Sequence, residues 1–271
     1  MAEQGLNAIV TQKIVHAPGL ITIRVVSDGW ELPDFTPGQY IVLGLPASAP
    51  RCPGSDPDRK PLPADKLVRR AYSIASSSVA KEYMEFYISL VRSGDLTPRI
   101  FNLTIGDHIW LSPKCVGYFT LEEVPLDMNI LMIATGTGLA PYMSMLRSRL
   151  SRDTQRRLAV IHGAYHSWDL GYHGELVMLQ RMTPLFTYIP IISNPEEEPV
   201  RWGGETGFVQ KIWTSGMIEK KWGFRPAPEN THVFLCGHPN MIDEMSKLLK
   251  DDGFIEHTQK SPGQIHVERY T

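Results

Sequence analysis

The sequence predicts two domains, an antiparallel β-barrel followed by an α/β domain built on a parallel sheet. Residues 8–125 hold short runs of apolar and β-branched side chains, bounded by Gly, Pro, Asp or Ser, with little helical periodicity between them. Strands at this spacing are typical of an antiparallel barrel or sandwich. From residue 129 onward, apolar strand patterns alternate with helical stretches, which indicates a parallel sheet with helices on both faces. We therefore expect a first domain at residues 1–125 and a second at residues 126–271.

Length and composition allow a packed core in each domain. The chain has 271 residues, of which 42% are hydrophobic and 21% are charged, and these fractions are near globular averages. The formal net charge is −2, so no polybasic character suggests nucleic acid or an acidic membrane surface as a partner. The first residues lack the pattern of a signal peptide, and no apolar run approaches the roughly 18 residues of a membrane span. We expect a soluble, cytoplasmic protein.

The cysteines argue against a metal centre in this chain. Cys52, Cys115 and Cys236 are far apart in the sequence and odd in number, which fits a reduced compartment. Their spacing matches neither a zinc site nor an iron–sulfur cluster. We expect no bound metal, and any iron–sulfur centre that works with this chain belongs to another protein.

The first half is predicted to contain six strands. They span residues 9–15, 20–26, 39–45, 71–75, 84–92 and 108–111. Pro18 and Gly19 separate the first two strands. Residues 46–66 carry six prolines, several charged side chains and almost no large apolar residues. We interpret this stretch as a long exposed loop inserted between two barrel strands.

The second half is predicted to alternate strands with helices. The strands span residues 130–134, 158–163, 186–193 and 232–237, and the helices span residues 141–150, 174–182 and 240–250. The change in pattern places the domain boundary near residues 125–128. We find no internal repeat.

A first candidate motif is Arg70-Ala71-Tyr72-Ser73, on a predicted strand. An arginine can neutralise a diphosphate, a tyrosine ring can stack on a flat heterocycle, and a serine hydroxyl can bond a ring nitrogen. Four residues also fit a strand whose side chains alternate between core and surface, so this motif alone leaves both interpretations open.

A second candidate motif follows the fifth predicted strand. Thr97 fits a helix N-cap and Pro98 fits the first helical position, directly after Leu96. A helix start of this kind presents backbone N–H groups to an anion. Taken alone, the pattern equally describes a capped helix without a ligand.

Two further motifs lie at strand ends in the second half. Residues 134–141 place Gly136 and Gly138 between an apolar strand and a helix, where glycines permit a tight turn and the close approach of a pyrophosphate. Cys236 and Gly237 end the last predicted strand, at the edge where open α/β sheets bind ligands. A cysteine there is usually a packing residue, but the following glycine predicts a thiol that faces a crevice.

In this order and spacing, the four motifs resemble the bacterial branch of the ferredoxin–NADP reductase family, from about Tyr40 to the C-terminus. The resemblance implies an FAD-binding barrel followed by an NAD(P)-binding domain. It places the strand with Ala71 at the flavin, with Arg70 on the FAD pyrophosphate, Tyr72 against the isoalloxazine ring and Ser73 near flavin N5.

The resemblance also implies further contacts with both nucleotides. The flavin is lined by the backbone of Ile88, Ser89 and Leu90, and its phosphates lie at Leu96 and Thr97. The nicotinamide nucleotide is held by Thr135, Gly136, Thr137 and Gly138, with Cys236 and Gly237 beside the nicotinamide. Tyr270 fits the aromatic residue that covers the flavin or its adenine. The implied catalytic residues are Ser73, Cys236 and Tyr270.

One departure from the family concerns the 2′-phosphate of NADP. Relatives that prefer NADP hold this phosphate with arginines after the second and third strands of the nucleotide domain. Here the matching positions read Gly-Ala-Tyr-His at 163–166, and Ser193 followed by Asn194. Asparagine can bond a ribose hydroxyl but cannot neutralise a phosphate dianion. Residues 202–209 also resemble the NADH-using cytochrome b5 reductases, so we expect NADH to be used at least comparably to NADPH. Two exceptions stay open: Arg147, Arg149 or Arg201 could reach the phosphate, or His166 could become cationic near its pKa of ~6.5.

The function implied by the resemblance is electron transfer between NAD(P)H and a one-electron carrier, ferredoxin or flavodoxin, through FAD. Alternatives within enzymes are the reductase component of an oxygenase system and a free flavin reductase that uses NADH. From other classes, the chain could be an electron-transfer subunit that works only inside a larger complex, or a binding module without a cofactor.

Overall fold

The computed structural model describes residues 5–58, 60, 62–150 and 155–269. The chain divides into two compact units. The first comprises Met1–Thr120 together with Ala140–Ser148, and the second comprises Leu121–Leu139 together with Arg149–Thr271. The chain therefore passes from the first unit into the second, returns for one helix, and enters the second unit again.

The first unit is built on a six-stranded antiparallel sheet. Its strands are β1 (Ala8–Ala17), β2 (Leu20–Ser27), β3 (Tyr40–Pro46), β4 (Leu67–Ser73), β5 (Met84–Ser89) and β6 (His108–Leu111). They lie in the order β4-β3-β6-β1-β2-β5. The two edges approach each other, because the backbone N–H of Ala75, just beyond β4, donates to the carbonyl of Glu85 on β5 at 2.8 Å. This closes the sheet into the predicted barrel.

The barrel interior explains the apolar runs of the sequence. Residues on one face of each strand are fully buried, among them Ile23, Ile41, Leu43, Phe86 and Ile109. Each such side chain contributes roughly 1.5–3 kcal/mol when it leaves water. These residues point inward because successive side chains on a strand face opposite sides of the sheet.

Two strand limits differ from those predicted. The strand predicted at 71–75 runs from Leu67 to Ser73, and the strand predicted at 84–92 ends at Ser89. In both cases the pairing partner sets the limit. Leu67 pairs with Pro46 at the end of β3, and Ser89 pairs with Leu20 at the start of β2. Propensity alone carries no information about where a distant partner ends.

The second unit is built on a six-stranded parallel sheet, which confirms the predicted fold class. Its strands are β7 (Asn129–Thr135), β8 (Leu158–Ala164), β9 (Phe186–Ile192), β10 (Glu205–Thr206), β11 (Thr231–Gly237) and β12 (Ile265–Arg269), in the order β10-β9-β8-β7-β11-β12. The strands β10 and β12 were not predicted. Both pair at the edges of the sheet, and β10 has only two residues.

Six α-helices accompany the two sheets in the residues that the structure describes. They are α1 (Thr97–Asn102), α2 (Ala140–Arg149), α3 (His173–Met182), α4 (Val209–Thr214), α5 (Met217–Trp222) and α6 (Pro239–Asp251). The short helices α4 and α5 were not predicted. In α6 the buried residues Met241, Ile242, Met245 and Leu249 recur at helical spacing and pack on the core of the second unit. In the part of the chain that the structure describes, no helix is both long and apolar enough to cross a bilayer.

A buried carboxylate joins α2 to the barrel inside the first unit. Glu85 is 1% exposed. One of its oxygens accepts from Arg24 Nε at 2.7 Å, and the other accepts from Arg147 on α2 at 2.6 Å. Arg147 also donates to the carbonyl of Ala75 at 2.8 Å. The sequence analysis considered Arg147 as a partner for a nucleotide phosphate, but in this structure its guanidinium is held by Glu85.

We expect Glu85→Ala to lower the free energy of unfolding by about 3 kcal/mol, because it leaves two guanidinium groups without their carboxylate at a buried site. Urea unfolding of purified protein measures this loss. The matched control is Asp34→Ala, which removes the exposed ion pair with Lys81 and should cost at most about 1 kcal/mol. Equal losses in the two variants would contradict a central role for Glu85.

Candidate functional site

The strand order of the second unit contains a topological switch point. From β7 the chain builds β8, β9 and β10 on one side, and it later adds β11 and β12 on the other side. Open α/β sheets bind ligands at the carboxyl ends of the two strands that flank such a point. Here those ends are Thr135 on β7 and Gly237 on β11. Both residues were predicted to contact the nicotinamide nucleotide.

At the switch point the two strand ends approach so closely that only glycine fits. A Cβ added to Gly138 would lie 2.2 Å from the carbonyl oxygen of Cys236, and one added to Gly237 would lie 2.3 Å from Thr135 Oγ1. Gly237 also has φ of +138°, a conformation that disfavours other residues. The Thr135 hydroxyl accepts from the backbone N–H of His238 at 2.8 Å. The turn is thus fixed by contacts of the main chain.

The rest of this turn is positioned to contact a ligand. Gly136, Thr137, Gly138 and Leu139 form one turn of 3-10 helix between β7 and α2. A Cβ added to Gly136 would meet nothing within 4 Å, so there is open space beside the turn. This turn, whose backbone is fixed by its contacts and which is open on one side, fits the phosphate-bearing part of a dinucleotide.

Behind this turn lies a buried histidine that the sequence analysis did not identify. His162 on β8 donates from Nε2 to the carbonyl of Gly136 at 3.2 Å. Burial lowers its pKa to about 4. The ring is therefore neutral at physiological pH and supports the turn as a hydrogen-bond donor rather than as a charge.

The structure corrects the prediction for Cys236. Its side chain is fully buried rather than facing a crevice. The thiol points toward Glu268 on the neighbouring strand β12, with Sγ 3.8 Å from Oε2. The two residues are direct partners in the strand register. Glu268 was missed because β12 gives no clear signal in the sequence, so nothing indicated that a carboxylate lies beside the thiol.

The ends of β8 and β9 form a second part of the site. The backbone N–H of Ser193 donates to Ala164, and that of Asn194 donates to Tyr165, both at 3.0 Å. These residues lie at the same carboxyl edge of the sheet as Thr135, since all the strands are parallel. The predicted nucleotide residues Ser193 and Asn194 therefore share an edge with the turn at 135–138.

Carboxylates surround this second part. His166 lies between Asp169 at 3.1 Å and Glu197 at 2.8 Å, and the Asn194 amide donates to Glu197 at 3.1 Å. The hydrogen bond from His166 lowers the pKa of Glu197, and the same bond raises the pKa of His166. Glu198 adds a third carboxylate, which accepts from the backbone and the hydroxyl of Ser167. We call Asp169, Glu197 and Glu198 the acidic cluster.

Two of the arginines considered as phosphate partners differ in their surroundings. Arg149 is paired with Glu122, and Arg201 is exposed. Asn194, where the resemblance implies an arginine in relatives that prefer NADP, bonds the carboxylate of Glu197 through its side chain. The sequence contained a signal, because Asn194 is followed within four residues by three glutamates, but it did not show that they converge with His166.

In the first unit, the predicted flavin residues occupy the two edge strands and α1. Arg70, Ala71, Tyr72 and Ser73 end β4, with Ser73 buried and Ala71 exposed. Burial raises the pKa of Tyr72. Ile88 and Ser89 end β5, and the backbone N–H of Leu90 donates to Gly19 at 2.9 Å.

An ion pair brings Arg70 to the start of α1. Arg70 Nη2 lies 2.7 Å from Asp95 Oδ2, and about half of the Arg70 side chain is exposed to solvent (52%). Asp95 immediately precedes Leu96 and Thr97. An arginine that is reachable from solvent beside a helix start fits the diphosphate of a flavin dinucleotide. The structure thus brings together Arg70, Leu96 and Thr97, as the resemblance implies.

The capping prediction at this helix was wrong. The N-cap residue is Leu96, and Thr97 is the first helical residue with Pro98 behind it. The Thr97 hydroxyl bonds instead to the backbone of Val91, donating to its carbonyl and accepting from its N–H at 3.1 Å each. The side chain of Thr97 therefore holds the preceding turn in place rather than the helix terminus.

The remaining expectations concern the aromatic residue near the C-terminus and a bound metal. Tyr270 lies outside the described residues. Within the described ranges, no group of three or more His, Cys, Asp or Glu side chains is arranged to hold a metal ion.

Comparisons with known proteins agree with this geometry. A family model for the oxidoreductase NAD-binding domain matches residues 132–247. A flavodoxin/ferredoxin–NADP reductase of Buchnera aphidicola is 31% identical over 87% of this chain and 88% of its own length, and the protein of that name from Escherichia coli has the same values. A ferredoxin NADP+ reductase from Neisseria gonorrhoeae, solved with bound FAD and NADP, has a TM-score of 0.79 at 23% identity and 97% coverage of both chains.

The structural likeness at this low identity establishes a shared fold, and the sequence relatives establish more. Their similarity covers 87% of this chain and therefore extends across both units. On this basis the chain belongs to the flavodoxin/ferredoxin–NADP reductase family.

Proposed function

We propose that this chain is an FAD-dependent reductase that transfers electrons between NAD(P)H and a one-electron carrier, ferredoxin or flavodoxin. The observation that carries the proposal is the glycine turn at the switch point, where Gly138 and Gly237 leave room only for backbone. Bound FAD supplies the change between two-electron and one-electron chemistry, because it accepts a hydride and releases electrons singly. We place the protein in the cytoplasm as part of this proposal.

Each domain has its own task in this proposal. Residues 1–125 bind FAD, with Arg70 neutralising the diphosphate, Tyr72 against the flavin ring and Ser73 at the ring nitrogens. Residues 126–271 bind the nicotinamide nucleotide on the turn at 135–138. The end of β11 at Gly237 lies beside the nicotinamide, while the buried Cys236 thiol is directed to Glu268, with Sγ 3.8 Å from Oε2.

The acidic cluster supports NADH as a substrate that competes well with NADPH. A carboxylate can accept a hydrogen bond from a ribose hydroxyl, as the acidic residue of NAD sites does. The same carboxylate repels a 2′-phosphate, and like charges at close range disfavour binding. Asn194, already bonded to Glu197, cannot neutralise that phosphate. This observation also favours, as a second candidate, a reductase that passes electrons from NADH to free flavin.

Electron transfer to a protein carrier is the direct test of the proposal. We expect the FAD-loaded protein, mixed anaerobically with NADH or NADPH, to reduce flavodoxin or ferredoxin, followed by the absorbance of the carrier. Free FMN serves as the comparison acceptor. Rapid reduction of free FMN without reduction of either carrier would instead identify a free flavin reductase.

Arg70→Ala should weaken FAD binding about tenfold or more, because a charge-assisted hydrogen bond to phosphate is worth roughly 1.5–3 kcal/mol. Flavin fluorescence measures the fraction released on dilution. Arg69→Ala is the matched control, since Arg69 is the neighbouring residue and its guanidinium stacks on Trp110 at 4.3 Å. Recovery of FMN rather than FAD from the purified protein would contradict the assignment of Arg70 to a diphosphate.

We expect NADH to be used at least comparably to NADPH, with the two values of kcat/KM within about tenfold of each other. Asn194→Arg should then raise the ratio of NADPH to NADH about tenfold, since it adds one charge-assisted partner for the phosphate. Thr214→Arg adds the same charge on the exposed surface of α4 and should leave the ratio unchanged. A hundredfold preference of the unmodified protein for NADPH would contradict our assignment of the acidic cluster.

A further inference from the structure

The connection between β3 and β4 contacts a buried guanidinium in the first unit. Arg99 on α1 is 2% exposed although it carries a full charge. It forms a two-pronged pair with Asp58, with nitrogen-to-oxygen distances of 2.9 and 2.6 Å. It also donates to the carbonyls of Asp95 at 2.5 Å and Ala47 at 2.6 Å. Charged groups are buried only when they are paired in this way. Asp58 and Ala47 both belong to residues 47–66, which we call the 47–66 connection.

Asp58 receives a second arginine from its own connection. Arg51 Nη1 lies 2.7 Å from Asp58 Oδ1, and the Arg51 side chain is mostly buried. Its other terminal nitrogen donates to the carbonyls of Arg92 at 3.1 Å and Gly94 at 3.0 Å. The hydrogen bond from Arg99 is the largest cause of a lowered pKa for Asp58, with Arg51 adding to it. One carboxylate therefore links two guanidinium groups that both reach residues 92–99.

Backbone hydrogen bonds join the 47–66 connection to residues 92–99 near both ends of that stretch. Cys52 donates to the carbonyl of Pro98 at 2.9 Å, and Asp56 donates to the carbonyl of Arg92 at 3.1 Å. In the opposite direction, Arg92 Nη1 donates to the carbonyl of Gly54 at 2.7 Å. We call residues 92–99 the phosphate segment, because it contains Leu96 and Thr97, where the family resemblance implies that the flavin phosphates lie.

The phosphate segment has little order of its own. The helix α1 has six residues, and helices of this length are unstable unless other parts of the protein hold them. Gly94, at its beginning, adds backbone freedom. The hydrogen bonds from Arg51, Arg99 and the 47–66 connection therefore determine the path of the chain at 94–97.

We infer that the 47–66 connection holds the phosphate segment in the conformation that binds the flavin diphosphate, and that Asp58 is the positioning residue, acting through Arg99 and Arg51. Asp58 itself need not touch the flavin. The inference rests on the proposed function, since it takes FAD as the bound group. It gives a role to a proline-rich stretch that the sequence analysis interpreted only as an exposed loop.

The test compares FAD release from the purified, FAD-loaded protein and from Asp58→Asn. We expect release to be about tenfold faster in the variant, because the neutral amide holds two guanidinium groups less strongly than a carboxylate does. Flavin fluorescence measures release, with FAD and FMN loaded in parallel. The FMN complex should be affected less, since it lacks the diphosphate. Asp58→Glu keeps the charge and should restore most of the retention.

The matched control is Asp56→Asn, which removes an exposed carboxylate from the same connection while keeping the backbone bond to Arg92. It should release FAD at the rate of the unmodified protein. If Asp58→Asn fails to fold, Arg51→Gln provides the second variant, because it leaves Arg99 paired with Asp58 and should still accelerate release.

A purely structural role makes a different prediction. It would lower the Tm of the FAD-free and FAD-loaded forms equally, whereas positioning reduces the rise in Tm that FAD produces. Equal release rates for Asp58→Asn and the unmodified protein, or an equal loss of Tm in both forms, would overturn the inference and leave the proposed function intact. An unmodified protein that retains no FAD would overturn both.

Discussion

The close approach of two strand ends is the constraint on which the nucleotide site depends. Because β7 and β11 are neighbours in the parallel sheet, the turn after Thr135 lies too close to the end of β11 at Gly237 for a side chain to fit between them. Gly138 and Gly237 allow this approach because they place no side chain between the two backbones. The Thr135 hydroxyl and the ring of His162 then hold the turn from different sides. A rigid turn with an open face follows from packing alone, before any ligand is present.

In the first unit, two shared carboxylates hold segments against the barrel. Glu85 joins Arg24 and Arg147, and Asp58 joins Arg51 and Arg99. In each case one acid pairs two arginines from segments distant in the sequence, so the desolvation of the charges is offset by several hydrogen bonds at once. The first arrangement holds α2 on the barrel, and the second holds the stretch before α1. Charge pairing thus fixes those parts of the barrel unit that its apolar interior does not reach.

The acidic cluster lies beside a backbone that hydrogen bonds hold in place at the ends of β8 and β9. The backbone N–H of Ser193 donates to Ala164 at the end of β8, and that of Asn194 donates to the next residue, Tyr165. The charged side chains that contact His166 are the carboxylates of Glu197 and Asp169. A raised pKa for His166 and a lowered pKa for Glu197 follow from that pairing. The charges at this edge of the sheet therefore come from a few side chains.

The sequence by itself determined the two kinds of sheet, the order of most strands and helices, and the glycine turn at 136–138. These features are local, because they depend on side-chain periodicity and on the backbone preferences of Gly and Pro, which act within a few residues. The motif with Arg70 and Tyr72 was recognisable for the same reason. Its placement on a strand was right, although the limits of that strand were set by its partner.

Only the tertiary structure decided which distant residues meet. Asp58 and Arg99 are separated by 41 residues, and Cys236 and Glu268 by 32. Strand pairing brings the second pair together, while the fold of a long connection brings the first. Neither pair leaves a periodic signal, since a contact between remote positions depends on the register of every strand between them. The buried state of Cys236 and the bonding of Thr97 to Val91 were mispredicted because both depend on neighbours that local sequence cannot specify.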